Sequence, residues 1–564
     1  MDSVSIGSLG GSTLPTRSAL AVLAHAVPVC LGAVLGANIV TMSLMNFLEL
    51  ETSWLLLIYL VSAILTVALV VRSGIRFPKL DPSEHAFSAV LAILFFLPRI
   101  MYLLEGALGY AVDPSHDDWA HIQYMAAIID SPRFPPRSTY DNSKFLSYYY
   151  APWILGAAFH QTGLLSTVKQ ALALTDFVYS TFASYFVVFA SKALFREKLL
   201  QRTFLVLCVF YGGFDFIYWL SGFNFTLMHA EWWATDFGIE VQYSSFFTLL
   251  LWVPQHVTAT MAVLYSLYVV LRADGAAARI LAAMLLTSAV FSSPFVVFGA
   301  IPLGIVLVVR NKLFRAAPLV LAVTALLTLP LFWIFLGKDS GGLKYELEWF
   351  GELGSFLMQH KRAGFVVFVL VTSLELWPLL WTSRVALVDR ILNRWLVLGS
   401  VSYLVSIFFV YYVGDNYCMR GAIIPIFTLA YVATPEFARI FCDAHRRRYL
   451  LVLIPYFLGG LYEYASFSAS SLAALRNSRT PFNASALISN SGHSLLVDKS
   501  LLNEAKQHEL GWYILEKRKP VPKEGLWAEE AATFHDDNHY RLTLKSIVDK
   551  IVHRYVSLRK GHGA

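Results

Sequence analysis

Charge is scarce in this sequence. Asp, Glu, Lys and Arg make up 15% of its 564 residues, against about a quarter in an ordinary soluble domain. A chain so poor in charge is not a water-soluble globule throughout. Strict apolar–polar alternation is missing too, which excludes a transmembrane β-barrel. Cysteine is rare: of Cys30, Cys208, Cys418 and Cys442, three lie in or beside apolar blocks, so no disulfide framework is implied. There is no Walker P-loop, GxGxxG turn, HExxH helix or GxSxG elbow, and ATP-driven transport and metalloprotease chemistry therefore lack support. The net charge of +6 is no nucleic-acid signal, because the bases sit in short loops where membrane orientation accounts for them.

What is present is apolar surface. Hydrophobic residues make up 57% of the chain and aromatics 15%, in continuous blocks of about 20 residues, the length of a helical membrane crossing. The blocks predict an all-α polytopic membrane protein with about 13 transmembrane helices, at 18–42, 54–71, 86–106, 170–191, 203–220, 246–271, 279–292, 294–309, 316–337, 364–383, 395–413, 421–437 and 449–467. The pair across 279–309 is short enough to be one hairpin broken at Ser292-Ser293-Pro294. Residues 148–164 read as an interfacial or re-entrant helix, and the first block is too long for a signal-peptide core.

Basic residues set the orientation. Arg72, Arg76 and Lys79, then Lys192 to Arg202, Arg272 and Arg279, Arg310 to Arg315, Arg384 to Arg394, and Arg439 to Arg448 all fall on one side of a single alternating map. The loops at 43–53 and 221–245 carry acids and no base. The N-terminus is thus expected in the cytoplasm. Residues 1–467 form the membrane domain, with outer loops 107–147, 221–245 and 338–363, and the polar region 468–564 is expected outside.

The outer side holds the candidate chemistry. His116-Asp117-Asp118-Trp119-Ala120-His121 sets two carboxylates between two imidazoles, a pattern suited to acid–base work or to a divalent cation such as Mg or Mn; equally, an Asp at the start of a helix over 118–130 caps free N–H groups. Downstream, Tyr148, Tyr149, Tyr150 and Trp153 form an aromatic set suited to sugar rings or to a membrane-interface belt. His256 follows a Trp-rich loop and suits either a phosphate contact or a buried hydrogen bond. Arg420 lies in a short loop over 414–421, where it pairs with Asp415 or grips a phosphate bidentately. Arg99 lies in an apolar span, so it needs a partner or a function. Asp176, Asp215, Glu375 and Glu463 lie in or near spans with no evident pair.

These features together resemble the GT-C class of membrane glycosyltransferases. Asp117-Asp118 is similar to that class's acidic motif. The run from Phe134-Pro135-Pro136 to Tyr148-Tyr149-Tyr150 resembles the bacterial and archaeal membrane family named for its YYY triplet, over roughly the first 270 residues, and Asp-Asn-Tyr-Cys-Met-Arg at 415–420 is similar to a short motif in bacterial members. The resemblance implies a GT-C-like fold in a bacterial inner membrane and a polyprenyl-phosphate sugar donor. The acceptor would be a glycan, lipid or protein. Asp117, Asp118 and His121 would act on the acceptor hydroxyl, with Asp117 or Asp118 as a base or cation ligand. Arg420, with His256 or Arg99, would hold the departing phosphate. A polysaccharide polymerase or ligase working through Arg and His, and a non-enzymatic lipid-linked sugar flippase or transporter, are the alternatives.

Overall fold

The computed structural model describes residues 16–103, 118–137, 145–146, 150–165, 167–214, 243–311, 313–336, 366, 368–385, 387, 391–410, 415–443, 445–462 and 464–465. Asp117, Tyr148, Tyr149, Asp215 and Glu463, part of loop 107–147, most of loop 221–245, all of 338–363 and the tail 468–564 lie outside these residues.

Among the described residues the fold is helical, and the only β-contacts are two isolated bridges, Glu51 with Arg133 and Arg137 with Phe145. In chain order the helices are α1 (Thr16–Phe47), α2 (Leu55–Arg72), α3 (Pro82–Phe96), α4 (Asp118–Asp130), α5 (Ile154–His160), α6 (Val168–Leu194), α7 (Lys198–Phe210) and α8 (Phe246–Trp252). Then come α9 (Pro254–Arg272), α10 (Ala276–Ser292), α11 (Pro294–Arg310), α12 (Ala317–Leu336), α13 (Phe368–Ser383), α14 (Ile391–Val410), α15 (Asp415–Cys442) and α16 (Leu450–Leu453). Among the described residues, five stretches are long and apolar enough to cross a bilayer: Ala26–Phe47, Thr52–Arg72, Pro82–Leu103, Val168–Leu194 and Met419–Cys442. Parts of α10 to α14 are apolar but shorter.

The surface says membrane as plainly as the lengths do. On α2, Leu57, Leu60, Ile64 and Leu65 are all exposed, up to 68% for Ile64, while Leu55, Tyr59 and Val70 are buried. Apolar residues that face both inward and outward on one helix fit a lipid surround. α1 and α2 pack closely because a Cβ at Gly36 would fall against Thr66, the small-residue contact by which helices approach in lipid.

Two expectations are corrected. The single span over 246–271 is two helices, because Pro254 has no N–H to continue α8 and Val253 leaves helical geometry at φ −140°, ψ 62°. The loop over 414–421 is the start of the 28-residue α15 from Asp415 onward, with nothing between Asp415 and Arg420 to break it. Within 148–164, expected as an interfacial or re-entrant helix, Tyr150, Ala151, Trp153 and Ile154 are fully buried in a core with α1, α4 and α6, while Leu164 near its end is 81% exposed. At 279–309 the expected break is present, with Ser293 in extended geometry between α10 and α11.

Loop contacts fall into two sets. In one, Lys192 and Lys198 bond Glu84 at 2.6 Å each, Lys198 bonds Asp81 at 2.8 Å, and Tyr268 donates to the Arg76 carbonyl at 2.7 Å. These residues lie in or beside three of the base-rich loops. In the other, Thr52 and Phe134 donate through their backbone N–H groups to Pro132 and Leu50 at 3.1 and 3.0 Å, and Gln161 donates to the Thr52 carbonyl.

Asp81 caps α3 in a reciprocal capping box with Glu84. Hydrogen bonds from Lys198 and Ser83 hold its carboxyl well below the usual range, outweighing slight burial. A depressed folded value contributes stability above the unfolded pKa of about 4, and that contribution is lost as pH falls through the folded value. Asp81→Ala is therefore expected to cost about 1 kcal/mol at pH 7. Melting in detergent should show a gap between variant and parent that narrows in acid.

Candidate functional site

The site begins at the proline that ends α3. Pro98 tightens the chain into the 3-10 turn Leu97–Arg99, and Arg99 turns into the protein, 2% exposed. Its targets follow from the break between α8 and α9. In a continuous helix the Leu250 carbonyl would accept from residue 254, which is proline, and the Leu251 carbonyl from the residue after it. Arg99 takes both carbonyls instead, Leu250 at 3.0 Å and Leu251 through its Nη2.

The same guanidinium meets two acids. Its Nη2 lies 2.7 Å from Asp118 Oδ1 and its Nε 3.1 Å from Asp176 Oδ2. Tyr102 donates its hydroxyl to Asp118 Oδ2 at 2.8 Å. Asp118 opens α4, where helix-end N–H groups favour a negative charge. Burial on its own raises the Asp118 carboxyl, but Arg99 and His121 outweigh it and hold it well below the ordinary range. Asp118 is thus an ionised, fully enclosed carboxylate.

One turn along α4, His121 Nδ1 lies 3.8 Å from Asp118 Oδ1. Its ring packs at a tilt against Trp153, with centroids 4.6 Å apart and planes at 34°. Trp153 sits in the 3-10 turn Ala151–Trp153 ahead of α5. His256, in the first turn of α9 and fully buried, has Arg420 and His121 as electrostatic neighbours. Arg420 stands near the start of α15, 8% exposed, its Cζ 5.7 Å from the Phe295 ring centroid. Its position depends on the next residue: Gly421 and Gly299 let α15 and α11 touch backbone to backbone, and a Cβ at Gly299 would collide with the Gly421 carbonyl.

The fold therefore gathers Arg99, Asp118, His121, Trp153, His256 and Arg420, although 321 positions separate Arg99 from Arg420 in the chain. Several expected roles change. Arg99 is committed to two carboxylates and two carbonyls, so it is not available to grip a phosphate. Both Asp118 oxygens already accept from cationic or hydroxyl donors, so that carboxylate does not fit a divalent cation, and no described group of three His, Cys, Asp or Glu residues fits one either. Tyr150 is core and not shelf: fully buried, it donates to Asn46 Oδ1 at 2.9 Å. Tyr150→Phe is expected to cost about 1 kcal/mol for that hydrogen bond, as melting curves in detergent would show.

One member was missed. Asp176 was noted only as an acid in a span with no pair. Its link to Arg99 joins positions 77 residues apart on different helices, and no local spacing carries that signal. Glu375, another unassigned acid, accepts the Phe214 backbone N–H at 2.7 Å while its own carbonyl accepts from the Tyr211 hydroxyl. It ties α13 to the chain just after α7.

Comparison with protein-family models, curated proteins and solved structures finds no match for this chain.

Proposed function

We propose that this membrane protein is a glycosyltransferase of GT-C-like, thirteen-span architecture, seated in a bacterial inner membrane. It would move a sugar from a polyprenyl-phosphate donor to a glycan, lipid or protein acceptor at the outer face. One observation carries the proposal: the gathered polar residues all come from helix ends that the basic-loop map assigns to the outer side. These are the end of α3 (Arg99), the start of α4 (Asp118, His121), the start of α9 (His256) and the start of α15 (Arg420). A lipid carrier presents its phosphate at that depth, and no nucleotide site is then required.

The chemistry follows from charge. The acceptor oxygen attacks the anomeric carbon, forming the new glycosidic bond. The bond from that carbon to the phosphate oxygen breaks, and its electron pair leaves with the lipid phosphate. The acceptor's proton goes to Asp117, next to the enclosed Asp118. Arg420, with His256 beside it, meets the charge that grows on the phosphate, and a fixed cation there lowers the barrier. Trp153 and His121 pack ring against ring and form a wall beside it.

The test is transfer from radiolabelled polyprenyl-linked sugars in purified membranes. Arg420→Lys is expected to weaken donor binding and turnover about 10–100-fold, the worth of a charge-assisted hydrogen bond at about 1.5–3 kcal/mol. Unchanged binding and turnover would remove Arg420 from the site.

A second function is favoured by one feature. Asp118 is locked to Arg99, while His121, His256 and Arg420 group together. A polysaccharide polymerase or ligase working on lipid-linked glycans through Arg and His would use just those residues. Dependence of activity on Asp117 separates the two.

A further inference from the structure

The far end of α9 from His256 carries a group of cations. Arg272, the last residue of α9, lies about 24 Å along the helix from His256. α2 ends nearby, since Gly32 of α1 sits against both Val70 of α2 and Tyr265 of α9. After Arg72, the last residue of α2, Gly74 turns the chain in left-handed geometry at φ 65°. The returning chain then lies on α9. Tyr268 donates its hydroxyl to the Arg76 carbonyl at 2.7 Å, and Phe77 stacks on the Tyr268 ring at 6.0 Å and meets Tyr265 edge-on at 5.6 Å. The Arg272 Cζ stands 5.9 Å from the centroid of that same Tyr268 ring. Arg72, Arg76 and Arg272 are thus brought to one patch.

These three arginines differ from other bases of the same side. Lys192 and Lys198 are matched by Asp81 and Glu84, and Arg439 and Arg446 by Glu436 and Asp443. Arg72, Arg76 and Arg272 are exposed, and their side chains reach no carboxylate or carbonyl among the described residues. Asp274, the nearest acid in sequence, is exposed and pairs with no described base. A cation at a helix end complements the helix dipole, but that leaves its N–H donors open. Beside the cations the surface is apolar: Val67 and Val71 of α2 and Leu271 of α9 are exposed, Val71 by 67%. We propose that this patch binds an anionic phospholipid of the leaflet on that side. Its phosphate sits on Arg72, Arg76 and Arg272, and its acyl chains lie along Val67, Val71 and Leu271. A guanidinium matches phosphate oxygens bidentately. Tyr268 holds the Arg76 backbone and lies under Arg272, so less freedom is lost when the lipid binds.

The lipid site does not depend on the sugar-transfer function. Its test is native mass spectrometry of the full-length protein in neutral detergent, titrated with phosphatidylglycerol or with phosphatidylcholine of identical chains. Phosphatidylglycerol is expected to be retained in preference. Replacing all three arginines by glutamine (Arg72→Gln, Arg76→Gln, Arg272→Gln) should weaken its binding about 100-fold, at about 5-fold for each base near the membrane surface. Arg439→Gln with Arg446→Gln removes charge that is already paired and should leave binding as in the parent. Equal retention of the two lipids overturns the proposal, as does parent-like binding in the triple variant. A loss in the paired control as large as in the triple variant also overturns it, because the attraction would then follow overall charge and not this patch. Inorganic phosphate in excess should not displace the lipid; displacement would make the patch a site for a free anion and overturn the lipid assignment. Should the triple variant fail to fold, Arg76→Gln alone serves, with an expected loss of about 5-fold, and unchanged affinity overturns the proposal.

Discussion

Arg99→Met is expected to lower folding stability by about 3–5 kcal/mol, the cost of stripping one partner from a buried ion pair. Arg99 meets Asp118 and Asp176 and caps the Leu250 and Leu251 carbonyls. Methionine fills much of the same space but supplies no donor. It leaves Asp118 enclosed with its charge unmatched, and two carbonyls at the α8–α9 break without partners. The loss should show as a sharp fall in melting temperature and in the yield of monodisperse protein from detergent. Arg99→Lys should recover part of it, because an ammonium restores the charge but cannot reach two acids and two carbonyls from one plane. A methionine variant that melts with the parent would mean that the cluster does not hold this end of the bundle together.

Asp117→Asn is expected to reduce transfer by about 10²–10⁴-fold, the usual effect of losing a catalytic base, with melting unchanged. Its neighbour should behave differently. Both aspartates belong to one acidic motif in the sequence. Asp118 is instead fully enclosed against Arg99 and Tyr102, so Asp118→Asn should lose stability together with activity and say little about chemistry. The informative measurement is turnover of a lipid-linked sugar by each variant, normalised to folded protein, beside its melting curve. Full activity in Asp117→Asn would withdraw the acidic motif from the reaction and leave the polymerase or ligase function, carried by His121, His256 and Arg420, as the better account.

Much about this protein was decided before any contact was known. Scarcity of charge and continuous apolar blocks already require helices in a membrane, because an unpaired backbone is too costly in hydrocarbon. Asp117-Asp118, His121, His256 and Arg420 stood out because polar residues at the mouths of apolar spans are rare enough to notice. Arg99 stood out for the same reason, together with its need for a partner.

What the chain alone left open were pairings across distance. The partner of Arg99 is set by a helix break at Val253 and by Asp176 on another helix, and neither spacing nor composition links those positions. Burial was equally hidden. Tyr150 and Trp153 have the composition of a sugar-binding shelf, yet the turn at Ala151–Trp153 folds them against α1, α4 and α6 as core. Arg420 looked like a loop residue, since Gly414 and Gly421 flank a polar hexapeptide. In the folded chain Gly421 is instead the point where α15 crosses Gly299 of α11, and that crossing brings Arg420 to Phe295. Hydrophobic length is a local property and can be read along one strand of sequence. Which buried charges meet is a property of packing, because the low-dielectric interior rewards only the arrangement in which every charge finds its counterpart.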